Sequence, residues 1–147
     1  MMCTFEVTTY VQASVKKIEQ NFTANLFIRL NPPFTPVKLL RFEGNMPGAE
    51  VALEMNFFIF KQQWISKITA VERGDNHWLF IDEGVKLPFF LAGWKHIHLV
   101  EKCEMGSIIT DRISLRGPAW LPDLVLVVLF KGLMLYRKPI YRRVFKA

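Results

Sequence analysis

The chain has 147 residues, 51% of them hydrophobic, and a formal net charge of +6. That is one domain's length, 1–147, with enough apolar material for a real core. Two cysteines, Cys3 and Cys103, exclude a disulfide scaffold and a Cys-rich zinc site, and they fit a reducing compartment.

The first ten residues hold no basic segment followed by a continuous apolar run, so export is not expected and the cytoplasm is the expected location. Phe5-Glu-Val-Thr-Thr-Tyr-Val11 alternates and is β-branched, which predicts a first strand. Ser14 is placed to cap a short helix carrying Val15, Ile18 and Phe22 at helical spacing. Thr23 restarts a second helix with Leu26, Phe27 and Leu30 on its buried face, and Asn31-Pro-Pro33 ends it. Val37 to Phe42 is a second strand, followed by turn chemistry in Glu43-Gly-Asn-Met-Pro-Gly48.

The next strand places Val51, Leu53, Met55, Phe57 and Ile59 on one face, with Lys61-Gln-Gln as the connection to a strand from Trp64 to Glu72. Arg73-Gly-Asp-Asn76 is a turn, and His77 to Asp82 is the fifth strand. Leu87-Pro-Phe-Phe-Leu-Ala-Gly93 is an apolar loop of the kind that rims a hollow sheet. Trp94 to Lys102 and Ser107 to Arg116 form a last hairpin.

From Leu124 to Phe130 every residue is apolar, and Leu133 to Tyr136 adds four more. Lys131 interrupts the run, which falls short of the roughly 20 residues needed to span a bilayer. The expectation is therefore a helix from Pro122 buried against a sheet, with Asp123 favouring its dipole. Pro139 is expected to kink or divide it near Arg137. Arg137, Lys138, Arg142, Arg143 and Lys146 crowd the C-terminus and read as a solvated helix end, not as a nucleic-acid surface.

His96 and His98 lie two apart on a strand and so share a face. Three readings stay open. They can satisfy buried hydrogen bonds, form an acid–base pair with Asp111 or Asp82, or hold a metal with Asp111, Asp82 or Glu54 as third ligand. The reading taken is that no metal and no cofactor is bound. Whether His98 meets Asp111 depends on the hairpin. A turn centred between Met105 and Gly106 sets His98 opposite Ile113. One centred between Glu104 and Met105 sets it opposite Asp111, and an odd loop on Met105 turns the two apart.

The order strand, two short helices, six strands, long helix resembles the helix-grip fold of the START-like, or SRPBCC, superfamily. The resemblance is carried by Phe80-Ile-Asp-Glu-Gly84, Leu87-Pro-Phe-Phe90 and Trp94-Lys-His-Ile-His98. Gly106-Ser-Ile-Ile-Thr-Asp111, Arg112-Ile-Ser-Leu-Arg-Gly-Pro118 and Tyr136-Arg137 complete it. It is similar to a bacterial subgroup of stand-alone proteins described as ligand-binding or polyketide cyclase/dehydrase-like. Where such relatives follow the proline with a glycine-containing turn, this chain has the bulkier Pro118-Ala-Trp-Leu-Pro122. The resemblance implies an α+β fold in which a seven-stranded antiparallel sheet curls around the last helix.

That arrangement implies a cavity opening near residues 87–93 and 31–34. Its expected wall is Trp64, Met55, Phe57, Trp78, Phe80, Phe89, Phe90, Trp94, Val125 and Leu129, with His96, His98 and Asp111 as polar contacts. A hydrophobic or amphipathic small molecule, lipid-like or aromatic, is the expected partner, with no nucleic acid and no integral membrane association. The alternative is a cyclase- or dehydratase-like enzyme using His96, His98, Asp111 or Asp82 as acid–base groups. No nucleophile elbow, phosphate loop or nucleotide fingerprint is present.

Overall fold

The computed structural model describes residues 2–32 and 37–146. Strand β1 (Cys3–Val11) leads into helices α1 (Val15–Gln20) and α2 (Ala24–Leu30). Strands β2 (Val37–Phe42), β3 (Glu50–Asn56), β4 (Lys61–Arg73), β5 (His77–Lys86), β6 (Gly93–Cys103) and β7 (Gly106–Arg116) follow, and helix α3 (Asp123–Val144) closes the chain. The caps are those the sequence offers: Ser14 accepts from the Lys17 N–H at 3.2 Å, and Thr23 accepts from the Leu26 N–H at 3.5 Å.

The seven strands form one antiparallel sheet in the order β1-β7-β6-β5-β4-β3-β2. Consecutive strands are neighbours from β2 to β7, as short connections demand. Register shifts that leave Leu40 in β2, Thr69 in β4 and Val85 in β5 unpaired are bulges that sharpen the twist and let the sheet curl. Helix α3 lies on the concave face against β1 and β7 and touches α2. Its last turn is anchored there: the Gln12 and Ala13 N–H groups both donate to the Phe145 carbonyl at 3.1 Å. The face of β2–β6 opposite the helix is left partly uncovered, and this creates room inside the fold.

Three local expectations are corrected. The third strand ends at Asn56, and the connection is residues 57–60 instead of Lys61-Gln-Gln, so Ile59 is solvent-exposed and off the inner face. Hydrophobic alternation runs on through the turn because the turn itself is apolar, and periodicity carried no stop signal there. Pro139 does not divide the last helix, which is continuous over 22 residues. Pro139 is exposed, so water can take the carbonyl that its missing N–H leaves free.

The helix is also not buried all round. Leu126, Phe130, Met134 and Tyr141 are buried, whereas Leu124, Val128 and Leu135 are exposed. Val125 and Leu129 are 53% and 51% accessible because they look into empty space within the fold.

Candidate functional site

The hairpin from β6 to β7 pairs Cys103 with Gly106 and His98 with Asp111. The turn is therefore the two residues Glu104 and Met105, and the second of the three registers holds. Gly106 is required there: a Cβ on it would meet the Val11 carbonyl oxygen at 2.1 Å. This register points His96, His98, Asp111 and Ile113 all inward.

They form a chain of hydrogen bonds. The Trp94 indole N–H donates to Asp82 Oδ1 at 3.0 Å, and Asp82 Oδ2 faces His96 Nδ1 at 3.1 Å. His96 Nε2 and His98 Nδ1 both reach Asp111 Oδ1, at 2.8 and 2.9 Å. With a carboxyl group at each ring nitrogen, His96 is held as an imidazolium. Burial works against its charge, but hydrogen bonds to Asp111 and Asp82 outweigh it and raise the pKa to about 9.

His98 behaves oppositely. Burial, helped by the charges of His96 and Arg137, outweighs the pull of Asp111 and lowers its pKa, so the ring is neutral. Its Nδ1–H donates to Asp111, and Nε2 is left without a partner. Burial alone would favour a neutral Asp111, yet the two histidines hold its carboxyl well below the usual carboxylate range. Burial likewise pushes the Tyr141 hydroxyl up.

A pH dependence follows. Below about pH 6.5 the unfolded His96 is protonated too, and its stabilising interactions are fully felt. As pH rises from about 6.5 through about 9, the folded state keeps a proton that the unfolded state has lost. Stability is expected to fall over that window by on the order of 3 kcal/mol. His98 has the reverse sign and costs stability as pH drops below about 6.5. Denaturant unfolding at pH 6.5 and 9 checks this: His96→Gln should flatten the alkaline slope, and an unchanged slope would contradict the assignment.

His96 and Asp82 reach the wall of a cavity of about 530 Å³ between sheet and α3. Small-molecule sites fall at about 300–1,000 Å³. The sheet side is Val37, Phe42, Val51, Leu53, Met55, Trp64, Ser66, Ile68, Phe80 and Trp94, and the helix side is Val125, Leu126, Leu129, Phe130, Leu133, Met134 and Arg137. Phe22, Phe27, Leu30, Asn31 and Pro32 close the flank, and Phe57, Phe90 and Leu121 stand at the strand-end loops. A second hollow of about 450 Å³, among Glu54, Lys61, Gln62, Gln63, Lys86 and Leu87, is polar and lies outside the helix–sheet interior. It gathers no convergent chemistry.

Of the residues expected to form the wall, Trp64, Met55, Phe57, Phe80, Phe90, Trp94, His96, Val125 and Leu129 do line the cavity. Trp78 does not. It is fully buried behind the wall, its ring 5.7 Å from those of Phe22 and His98. His98 and Asp111 sit one layer behind His96, and Phe89 lies on the exposed rim. Of residues 31–34, where an opening is expected, Asn31 and Pro32 line the cavity and close its flank, while Pro33 and Phe34 lie outside the described residues.

Arg137 was read as helix end and turns out to be cavity wall. The signal for it was the spacing of four from Val125 through Leu129 and Leu133 to Arg137, which places all four on one helix face.

His96, His98 and Asp111 offer ligand atoms within 4.8 Å of one another, a set able to gather a divalent cation. The pairwise distances of 2.8 and 2.9 Å are those of N–H···O bonds, and a cation would have to displace both bridging protons.

No family model matches the sequence, and no curated protein is detectably similar to it. Solved structures are. Protein Ms6760 from Mycobacterium smegmatis superposes with a TM-score of 0.69 at 18% identity, over 98% of this chain and 91% of that one. Norcoclaurine synthase from Thalictrum flavum gives 0.68 at 12% identity, over 98% and 86%. The di-domain ARO/CYC StfQ from the steffimycin biosynthetic pathway gives 0.64 at 15% identity, over 96% of this chain. The chain spans about half of that protein, 51%. The chain has the helix-grip fold.

Identities this low carry the fold alone, and the helix-grip scaffold is compatible with both binding and catalysis. Among the described residues no helix of this helix-grip protein is long and apolar enough to cross a membrane.

Proposed function

We propose that the chain, acting as one domain, binds a hydrophobic or amphipathic small molecule in the cavity between sheet and α3. The observation that carries this reading is the cavity itself: about 530 Å³ of aromatic and aliphatic wall, with Asp82, His96 and Arg137 among its few polar groups. Such a site takes an apolar body along Trp64, Phe80 and Leu129 and gives a polar end hydrogen bonds or charge at Asp82, His96 and Arg137. The half-exposed Val125 and Leu129 support it, because they are apolar side chains that a bound molecule would cover.

The free Cys3 and Cys103 fit a cytoplasmic setting. Native mass spectrometry of freshly purified protein tests the reading. A co-purified small molecule, or saturable displacement of an apolar dye by fatty acids or flat aromatic compounds, supports it. Failure of both overturns it.

A second reading is an acid–base enzyme of the cyclase or dehydratase kind. It is favoured by one observation: a charged His96 held between two carboxyl groups at the cavity wall. In that reading Asp82 and His96 touch substrate, and Asp111 positions the ring. A bound aromatic carbonyl compound that saturates the cavity but shows no turnover by absorbance or mass would sink it.

A further inference from the structure

At the strand-end loops that give the cavity wall Phe57, Phe90 and Leu121, the fold leaves large apolar side chains in water. Residues 57–60, between β3 and β4, hold Phe58 and Ile59 at 99% and 87% exposure. The backbone fixes them there. Phe58 sits at φ 79, a region that a bulky residue enters only at a cost. Its N–H donates to Asn56 Oδ1 at 3.0 Å. The Phe57 N–H reaches the Phe60 carbonyl at 2.8 Å, and the Ile59 N–H reaches the Phe57 carbonyl at 2.9 Å. A loop shaped by burial alone would turn these side chains inward.

The patch continues across three loops. Ring centroids run from Phe57 to Phe60 at 5.2 Å, from Phe60 to Phe89 at 5.7 Å and from Phe89 to Trp120 at 6.0 Å. Phe60, Phe89 and Trp120 are exposed, as are Leu124 and Val128, one turn apart at the start of α3. Scattered exposed apolar residues need no explanation, but a contiguous group of this kind does.

Charge identifies what covers it. The register brings the start of β2, the start of β4, the end of β5 and the end of β7 to this same end of the sheet. Those positions carry Lys38, Lys61, Lys86 and Arg116, all exposed. Glu54 faces Lys61 at 3.8 Å and Asp123 accepts from the Gly117 N–H at 2.8 Å, while Lys38, Lys86 and Arg116 have no carboxylate partner among the described residues. An apolar tip inside a ring of cations is complementary to an anionic lipid surface, whose headgroups meet the ring while its acyl region receives the tip. A two-fold pairing with a second copy would instead set the same cations against one another.

We propose that this end of the molecule docks peripherally on an anionic bilayer. Phe58 and Ile59 insert below the headgroups, Lys38, Lys61, Lys86 and Arg116 contact them, and this end of the cavity faces the lipid. Docking does not require that the cavity bind anything, so this inference and the ligand-binding reading fail separately.

The test is co-sedimentation of the full chain with phosphatidylcholine vesicles, with and without phosphatidylglycerol, at low and high salt. The wild type should pellet with the anionic vesicles, and salt should release it. Phe58→Ser/Ile59→Ser changes only exposed side chains, so its melting should match the wild type while binding falls by at least about tenfold. Lys86→Glu/Arg116→Glu should lose the preference for anionic lipid. Trp120, the one exposed tryptophan, should be quenched by brominated lipid in the wild type and not in the serine variant. Wild-type protein that stays in the supernatant at low salt overturns the proposal. So does equal binding by the serine variant, or a concentration-dependent dimer that the serine variant abolishes in place of vesicle binding.

Discussion

Replacing Asp111 with alanine should destabilise the protein by about 3–5 kcal/mol, the range for removing one partner of a buried charge pair. The size follows from what is left behind. Asp111 is 2% exposed and its Oδ1 serves two imidazoles, at 2.8 Å from His96 and 2.9 Å from His98. Without it His98 Nδ1–H has no acceptor in a dry core, on a ring whose Nε2 is already unpartnered. His96 keeps only Asp82 and loses much of the support for its proton. Asp111→Asn retains an acceptor but not the charge, so its cost should be smaller and should shrink as pH rises through about 9, above which His96 is neutral in any case. Urea unfolding of both variants at two pH values measures this. Wild-type stability in Asp111→Ala would mean that the polar chain is not the one described.

The second large effect is on binding. Leu53 on β3 and Leu129 on α3 both line the cavity. Leu53→Trp and Leu129→Trp put rings into empty space, where overpacking strain of about 1–3 kcal/mol in a filled core does not apply. Each should weaken an apolar ligand by about tenfold or more, equivalent to about 1.4 kcal/mol, and the pair should weaken it further. Melting temperatures should stay level or rise as the void closes. Undiminished affinity in the double variant would place the ligand somewhere else. A loss of affinity that tracks a loss of stability would mean only that the fold had been damaged.

Much of this was legible in the residues. Strand alternation at Val51, Leu53 and Met55 is the alternation that faces the cavity, and Ser14 and Thr23 cap the helices they precede. What failed did so for identifiable reasons. Residues 57–60 look like strand because every one of them is apolar, and only the Asn56 side chain, bonding to the Phe58 N–H, marks the turn. A helix as apolar as α3 reads as buried on all sides, yet an uncovered half of the sheet and an exposed outer stripe cannot be told from burial by composition.

The meeting of His98 with Asp111 depended on a one-residue choice of turn, which flips every side chain of the strand. Trp78 and Phe80 share a strand face, but the cavity reaches only Phe80; Trp78 is fully buried against the rings of Phe22, Phe80 and His98. Arg137 was hidden by the basic residues around it. Its distinction lies in helical phase, not in charge.

The claim that the space between sheet and α3 is a binding site is tested most directly by amide chemical-shift mapping with an apolar fluorescent probe such as anilinonaphthalene sulfonate. The account predicts saturable shifts at one-to-one stoichiometry, clustered at Leu53, Phe80, His96 and Leu129 and absent in the double tryptophan variant. Shifts confined to the exposed residues Phe58, Ile59 and Trp120, or none that saturate, would contradict it.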